Sequence, residues 1–399
     1  MKILIANPGS TSYKCKLYDM SARSILFQAG IERIGDEKGR YTYRIADQDP
    51  RQLEQPIADY HTAVNMTLKN LEEILPISDL SAVGFKTVHA KSISGCQALT
   101  APVIQAMKEY MPLAPVHTQV YLTAIDVFQN ILPETPLIGL FETAFHDQIP
   151  PEAYLYGIPY EFYKKYGIRK YGFHGASHRY IGERSKELYF SRQRHWKVIS
   201  CHLGGSSSVC AIKDGHSIDT SMGMSPQSGL LNANRVGDLD AYALLYLMER
   251  ESLSIDQTRE LLMSKAGLLG ISGLSGDFRD IESQMVQGHE RASLAFKTFA
   301  YYVKRYIGEY LAILNGADCI VFTGGAGQHS PRLRKEILKN MENLGILPDD
   351  EKNESNPGEG LISADDAQVK IAVIPTDEEL VVAREVEKFL MAAKDDLSD

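Results

Sequence analysis

Apolar and polar positions alternate along the first thirty residues in a pattern that predicts three strands and two turns: KILIAN, then PGST, SYKCKLYDM, SARS and ILFQAG. The pattern returns at Lys197, where KVISCHL is followed by GGSS, SVCAIKDG and HSIDTSMG. Each half therefore opens with a hairpin whose tip is small and rich in backbone N–H groups. A third strand-to-glycine junction follows CIVFT as GGAG and leads into the helical pattern SPRLRKEILKNMENL. Helical spacing also marks PIADYHTAVNMTLKNLEEIL, SHRYIGERSKELYF, DAYALLYLMER and SLAFKTFAYYVKRYIGEYLAILNG. Strand blocks alternating with helix blocks indicate an α/β protein. The pattern breaks at Ile149-Pro150-Pro151, and the expected organisation is an N-terminal lobe of 1–149 plus 380–399 and a C-terminal lobe of 150–379. The polar stretch DDEKNESNPGEG at 349–360 reads as an exposed loop before the strand VKIAVIP.

Composition narrows the class. A chain of 399 residues suggests two large lobes, and 44% hydrophobic with 23% charged residues is the balance of a globular protein. Lys plus Arg number 42 and Asp plus Glu 51, a net charge of −9, which disfavours nucleic acid or an anionic membrane as partner. The amino-terminal apolar run is too short for a signal-peptide core, and no stretch reaches the ~18 apolar residues that span a bilayer, so a cytoplasmic location is expected. Cys15, Cys96, Cys201, Cys210 and Cys319 are odd in number and form no C-x-x-C pair, so they read as reduced and mostly buried.

The chain has no G-x-x-x-x-G-K-[ST] loop, no G-x-G-x-x-G opening a helix, no H-E-x-x-H and no G-x-S-x-G elbow. What remains are the three Gly/Ser turns, each directly after a strand, where glycine lets backbone approach phosphate oxygens. One such turn alone is usually structural. Three of them, two opening similar hairpins, favour a phosphate-binding cleft between duplicated lobes.

ILIANPGSTSYK, PLAPVHT, GLFETAFH, RKYGFHGASHRY, CHLGGSSSV, NANRVGDLDAY, SGLSGDFRD, VFTGGAGQHS and IPTDEEL occur in that order, and together they resemble the acetate kinase family, which includes propionate and butyrate kinases. The resemblance covers nearly the whole chain. It implies a two-lobed actin-like (ribonuclease H-like) α/β fold with an interlobe cleft, transfer of the γ-phosphoryl of ATP to a short carboxylate with Mg²⁺ or Mn²⁺, and a homodimer. Carried onto this chain, it puts Asn7, Ser10 and Ser12 near the transferred phosphoryl with Lys14 among the substrate-binding residues, and Arg235 on the carboxylate and the phosphoryl in flight. Glu378 with Asn7 would hold the metal. His174 and His202 would donate to phosphoryl oxygens, with His117 nearby, and Val88, Val116, Phe173 and Pro226 would enclose the alkyl group of the acid. Asp277, Phe278, Arg279, the turn Gly324, Gly325, Ala326 and Gly327 with His329, and the turn Gly204, Gly205 and Ser206 would hold the nucleotide. Phosphoryl transfer asks mainly for positioning and positive charge around three oxygens, which Arg and His supply.

The chain departs from the family at two candidate catalytic positions: Lys86 in FKTVHAKS stands where the family has Arg, and Glu142 in FETAFH where it has Asp. Its third glycine turn, GGAGQHS, also differs from the usual A-G-I-G-E-N-S, which bears on donor preference. NPGSTS and HLGGSSS look closer to butyrate kinases, while most of the other motifs look like acetate kinases.

Each candidate also has a plainer reading. Arg235 suits a salt bridge to Asp238, and His202 suits a satisfied core histidine. His174 and His178 have the i, i+4 spacing of a metal pair, or they mark a loop-to-helix junction capped by Ser177. T-x-x-E makes Glu379 a capping-box partner of Thr376, leaving Glu378 as a first-turn carboxylate. Three alternatives stay open: a butyrate-kinase-like enzyme, one with an altered donor, or a nucleotide-binding module without transfer activity.

Overall fold

The structure is a computed structural model that describes residues 1–90, 93–111, 115–355 and 358–395, without the side chains of 115–117 and 394–395. The chain divides into two compact units, Met1–Ala144 with Asp377–Asp399, and Phe145–Thr376. The boundaries read from the sequence fall a few residues later. The difference matters at Glu378, which belongs to unit 1 because the helix it opens, Glu378–Asp395, packs on the unit 1 sheet.

Among the described residues unit 1 holds eight strands: β1 Lys2–Gly9, β2 Ser12–Asp19, β3 Ser24–Glu32, β4 Asp36–Ile45, β5 Arg51–Ile57, β6 Ala82–Thr87, β7 Cys96–Ala98 and β8 Leu137–Phe141. Their order is β5-β4-β3-β2-β1-β6-β8-β7. The two-residue turn Ser10-Thr11 makes β1 and β2 an antiparallel hairpin with Gly9 opposite Ser12, so β1 extends through the PG expected in the turn. β6 and β8 run parallel to β1. Ile3, Leu4, Ile5 and Ala6 are all fully buried, as a strand covered on both faces requires. Helix Pro115–Ile131 and the C-terminal helix both contact β1.

Unit 2 repeats the topology with β9 Lys197–Leu203, β10 Ser207–Lys213, β11 His216–Thr220, β12 Cys319–Thr323, β13 Gly360–Leu361 and β14 Lys370–Val373, ordered β11-β10-β9-β12-β14-β13. Here β9 stands where β1 stood, antiparallel to β10 and parallel to β12. The duplication seen as two hairpins in the sequence is thus a duplication of a five-strand motif. Helix Glu290–Leu314 buries Phe296, Phe299, Val303, Ile307, Tyr310 and Leu314 along one stripe against β9 and β10, the Phe, Val, Ile and Leu side chains each worth ~1.5–3 kcal/mol. His289 caps its start, and Asn315 in the left-handed region ends it.

Two local expectations change. GGAG is not an open turn, since Gly324–His329 is helical directly after β12. The 349–360 stretch contains a helix, Asp350–Glu354, capped by Asp349 and anchored by buried Asn353, which accepts from Arg334 at 2.7 Å. Cys15, Cys201, Cys210 and Cys319 are free thiols, and all four are buried.

Candidate active site

In unit 1 the chemistry collects around the carboxyl ends of the parallel strands β1, β6 and β8, where α/β sheets usually place their ligands. Asn7 is near the end of β1, Lys86 is on β6, Glu142 follows β8, and Glu378 with Glu379 opens the C-terminal helix. The Lys86 ammonium is ion-paired to Glu378 and lies 3.7 Å from Glu142 Oε1. Burial works against its charge, but Glu142 and Glu378 outweigh that and hold its pKa well above the usual lysine range. Tyr121 donates to Asn7 Oδ1 at 3.3 Å, and Asn7 Nδ2 donates to Glu379 Oε1 at 3.4 Å. Lys16, a residue without a sequence motif, bridges Asp377 at 3.5 Å and Glu379 at 3.4 Å. The capping box does not form: Asp377, not Thr376, accepts from the Leu380 N–H at 3.1 Å, and Glu379 turns to Asn7 and Lys16.

Ser10 is exposed in the hairpin turn, and the Ser12 carbonyl accepts from Tyr60. Lys14 lies on the open face of β2 and lines a groove of about 270 Å³ with Lys16, Arg44 and Glu379. Val88 is buried in unit 1, and Phe173 and Pro226 are buried in unit 2. The side chains of Val116 and His117 lie outside the described residues.

Unit 2 contains a pocket of about 590 Å³ lined by Gly204, Gly205, Asp277, Phe278, Arg279, Gly325, Ala326 and His329. The structure therefore brings the three segments expected to hold the nucleotide to one place. Gly324 and Gly327 are buried beneath them, and Ser206 closes the 204–206 turn through its carbonyl, which accepts from Gly204 N–H. Gly324 has φ +76°, and a Cβ there would lie 2.7 Å from the Leu203 carbonyl oxygen, so only glycine lets this turn sit against β9. Asn234, Glu282 and Ser330 also line the pocket, and Ser330 donates to Glu282 at 2.9 Å. Asn234 and Ser330 lie inside quoted motifs, NANRVGDLDAY and VFTGGAGQHS, but were not singled out, and Glu282 lies in none. Asp277 caps helix Phe278–Val286 and pairs with Arg279, which holds its carboxyl below the usual range.

Arg235 does not pair with Asp238. That carboxylate accepts from the Gly229 N–H at 2.8 Å and from the Tyr306 hydroxyl at 2.6 Å. Arg235 Nη1 donates to the Pro226 carbonyl at 3.1 Å, and among the described residues the guanidinium has no carboxylate partner. Burial lowers its pKa to about 10. A desolvated, unpaired guanidinium is a receptor for a carboxylate or phosphoryl oxygen.

His174 precedes helix Gly175–Tyr189 with φ +57°, and its ring stacks on His202 with centroids 4.3 Å apart. Ser177 does not cap the helix, because its hydroxyl pairs with His202 Nδ1 at 2.8 Å. The metal-pair reading of His174 and His178 fails as well: His178 is fully buried with both nitrogens on serine hydroxyls, and no cluster of three or more His, Cys, Asp or Glu among the described residues forms a metal site. His202, expected either in the core or on a phosphoryl, is half-buried at the end of β9.

A family model described as the acetokinase family matches residues 2–384. The acetate kinase of Carboxydothermus hydrogenoformans is 43% identical over 391 residues, covering 96% of this chain and 98% of the relative. An acetate kinase of Clostridium botulinum is 42% identical over 98% of this chain and 99% of its own length. Among solved structures, Porphyromonas gingivalis acetate kinase superposes with a TM-score of 0.86 at 36% identity, over 98% of this chain and 99% of its own. A Francisella tularensis propionate kinase gives 0.88 at 32% identity, over 96% and 98%.

Proposed function

The chain belongs to the acetokinase family and is a kinase that phosphorylates a carboxylate; from that premise we propose that its acceptor is acetate or propionate, its donor ATP, and its reaction readily reversible. A carboxylate oxygen attacks the γ-phosphorus, the bond from that phosphorus to the bridging oxygen of ADP breaks, and acyl phosphate and ADP leave. The observation that carries this reading is Arg235, a half-buried guanidinium without a carboxylate partner among the described residues, against which a carboxylate and a migrating phosphoryl gain charge-assisted hydrogen bonds. A pure nucleotide binder has no use for it.

The remaining roles follow from placement. The pocket lined by Gly204, Phe278 and Gly325 takes the nucleotide, with Asn234 and Glu282 as further polar contacts. His174 and His202 donate to phosphoryl oxygens. Within unit 2, Phe173 and Pro226 supply apolar surface for the alkyl group of the acid; within unit 1, Val88 supplies apolar surface and Ser10, Ser12 and Lys14 supply polar groups. Glu378 and the Asn7 side-chain oxygen are hard oxygen donors suited to Mg²⁺ or Mn²⁺, which prefer one or two carboxylates completed by water. Glu378 is partly exposed at the first turn of its helix, so such an ion has access to it. When bound, the ion neutralises charge between the β- and γ-phosphates. Lys86 and Glu142 act as one ion-paired unit in place of the family's Arg and Asp.

The protein acts as a homodimer through unit 2. Helix Ala241–Glu251 has no buried residue, and Tyr242 (81% exposed), Leu245 and Tyr246 form an apolar stripe on it that a second copy would cover. The free thiols of Cys15, Cys201, Cys210 and Cys319 suit the reducing cytoplasm. The test is acyl phosphate formation by purified protein from C1 to C5 acids with ATP, GTP or pyrophosphate. ATP-dependent activity peaking at C2 or C3 is the expected result. Activity confined to butyrate or to another donor overturns the acceptor or donor assignment, and none with any acid overturns the reading.

A further inference from the structure

Unit 2 contains a histidine array that the transfer reaction does not by itself explain. His146, His174, His178 and His202 each place Nδ1 2.8 Å from a serine hydroxyl, of Ser217, Ser208, Ser200 and Ser177 respectively. The fold supplies the pairing: Ser200 and His202 alternate on β9, Ser208 on β10 is in register with His202, and His174, Ser177 and His178 fall at the start of one helix. A neutral imidazole has one N–H and one lone pair, and a hydroxyl has one O–H, so donors can be counted along the chain of contacts.

His146 gives the starting point. Its Nε2 lies 2.9 Å from the Phe173 carbonyl, which only accepts, so the proton is on Nε2 and Nδ1 accepts from Ser217. His178 uses both nitrogens, Nδ1 with Ser200 and Nε2 with Ser208 at 2.8 Å. Burial, with His146 and His202 nearby, keeps it in the single-proton form. If Nδ1–H donated to Ser200, the O–H of that fully buried serine would have no acceptor among the described residues, a cost of ~1–3 kcal/mol. In the opposite sense Ser200 donates to His178 Nδ1, His178 Nε2–H donates to Ser208, and Ser208 donates to His174 Nδ1. Every donor is then used, and His174 carries its proton on Nε2. Ser177 is also fully buried with His202 as its hydroxyl partner, and the same count puts the His202 proton on Nε2.

We propose that the relay Ser200–His178–Ser208, together with Ser177, sets the tautomers of His174 and His202, so that two stacked neutral imidazoles present Nε2–H donors to an acceptor-only oxygen such as that of a phosphoryl group. Ser177, His178, Ser200 and Ser208 are positioning residues, and only the two outer rings touch the ligand. The position that a Cβ on Gly204 would occupy is 3.7 Å from His202 Nε2, which places this nitrogen beside the glycine turn that lines the nucleotide pocket. With the opposite tautomers a phosphoryl oxygen would meet two lone pairs and be repelled.

The identity of the ligand rests on the carboxylate-kinase reading; the tautomers do not. The test is nitrogen-15 NMR of the full chain labelled at histidine, with His174→Gln and His202→Gln to assign signals, beside steady-state kinetics. Wild-type His174 and His202 should both show a protonated Nε2 and a bare Nδ1. Ser200→Ala should shift His174 toward a tautomer mixture while His202 stays unchanged, and should lower kcat on the order of 10-fold with the nucleotide KM little altered. Ser177→Ala should move His202 and spare His174. Protonated Nδ1 in the wild type, or a His174 tautomer indifferent to Ser200→Ala, overturns the relay. The NMR measurement needs no turnover, so a wrong substrate assignment and a wrong relay are separately visible. Tautomers as stated with kcat unchanged in Ser200→Ala overturn its role in transfer.

Discussion

Lowering the pH from 7 to 5 should destabilise unit 2 through its buried histidines, and His146→Gln should remove a measurable share of that loss. Burial holds the His146 pKa at about 4, against 6.5 for a free histidine, so the unfolded chain takes up the proton first. The stabilisation is therefore complete above about pH 6.5 and is lost as pH falls toward 4. Between pH 7 and pH 5 the linkage relation gives ~2 kcal/mol for His146, and His178, whose pKa burial also holds well below the usual range, acts in the same direction. The chain has one tryptophan, Trp196, which is buried in unit 2 and stacked on Phe190 with centroids 6.2 Å apart. Its fluorescence in urea thus reports unit 2. Glutamine can still donate to the Phe173 carbonyl, and the carboxylate contribution cancels when variant and wild type are compared at both pH values. The acid-induced loss in His146→Gln should be smaller by about 2 kcal/mol. An identical loss in both proteins would refute the neutral, buried assignment on which the tautomer count begins.

The ion pair at 3.7 Å makes Lys86 and Glu142 a coupled site, so Lys86→Arg and Glu142→Asp should each lower kcat, and the double variant should recover more than additivity allows, by ~0.5–3 kcal/mol. A double-mutant cycle with additive gains would reject compensation. Gly324→Ala should abolish nucleotide binding and destabilise unit 2, since its Cβ would meet the Leu203 backbone at 2.7 Å in a left-handed conformation; calorimetric titration with ADP and urea unfolding check both effects. Glu378→Gln should raise the Mg²⁺ concentration needed for half-maximal rate, and an unaltered requirement would remove Glu378 from the metal site.

The hairpins, the segments that line the unit 2 pocket and the family were legible because each is written locally: alternation for strands, glycine for close approach, ordered motifs for the family. The failures share a cause in long-range pairing. Ser177 and Thr376 have the right residue types at cap positions, but Ser177 is claimed by His202, 25 residues away, and Asp377 takes the cap that T-x-x-E assigned to Thr376. Asp238 sits three residues from Arg235, yet its oxygens go to Gly229 and to Tyr306, 68 residues on. The pairing of Ser200 and Ser208 with histidines is not visible in the sequence, although Ser208 lies in CHLGGSSSV, because it depends on the register of β9 against β10 and on the helix that carries His178. The polar stretch at 349–360 hides a helix whose Asn353 is buried against Arg334, a contact that composition does not reveal.

The central claim, that Arg235 grips the carboxylate and the phosphoryl in flight, is tested most directly by comparing kcat for acetyl phosphate formation with the ATP dissociation constant in Arg235→Ala. The account predicts a fall in kcat on the order of 10²-fold or more with nucleotide affinity nearly unchanged, because the contact strengthens as charge moves onto the phosphoryl. Wild-type turnover in this variant, or loss of ATP binding with kcat preserved, would contradict it.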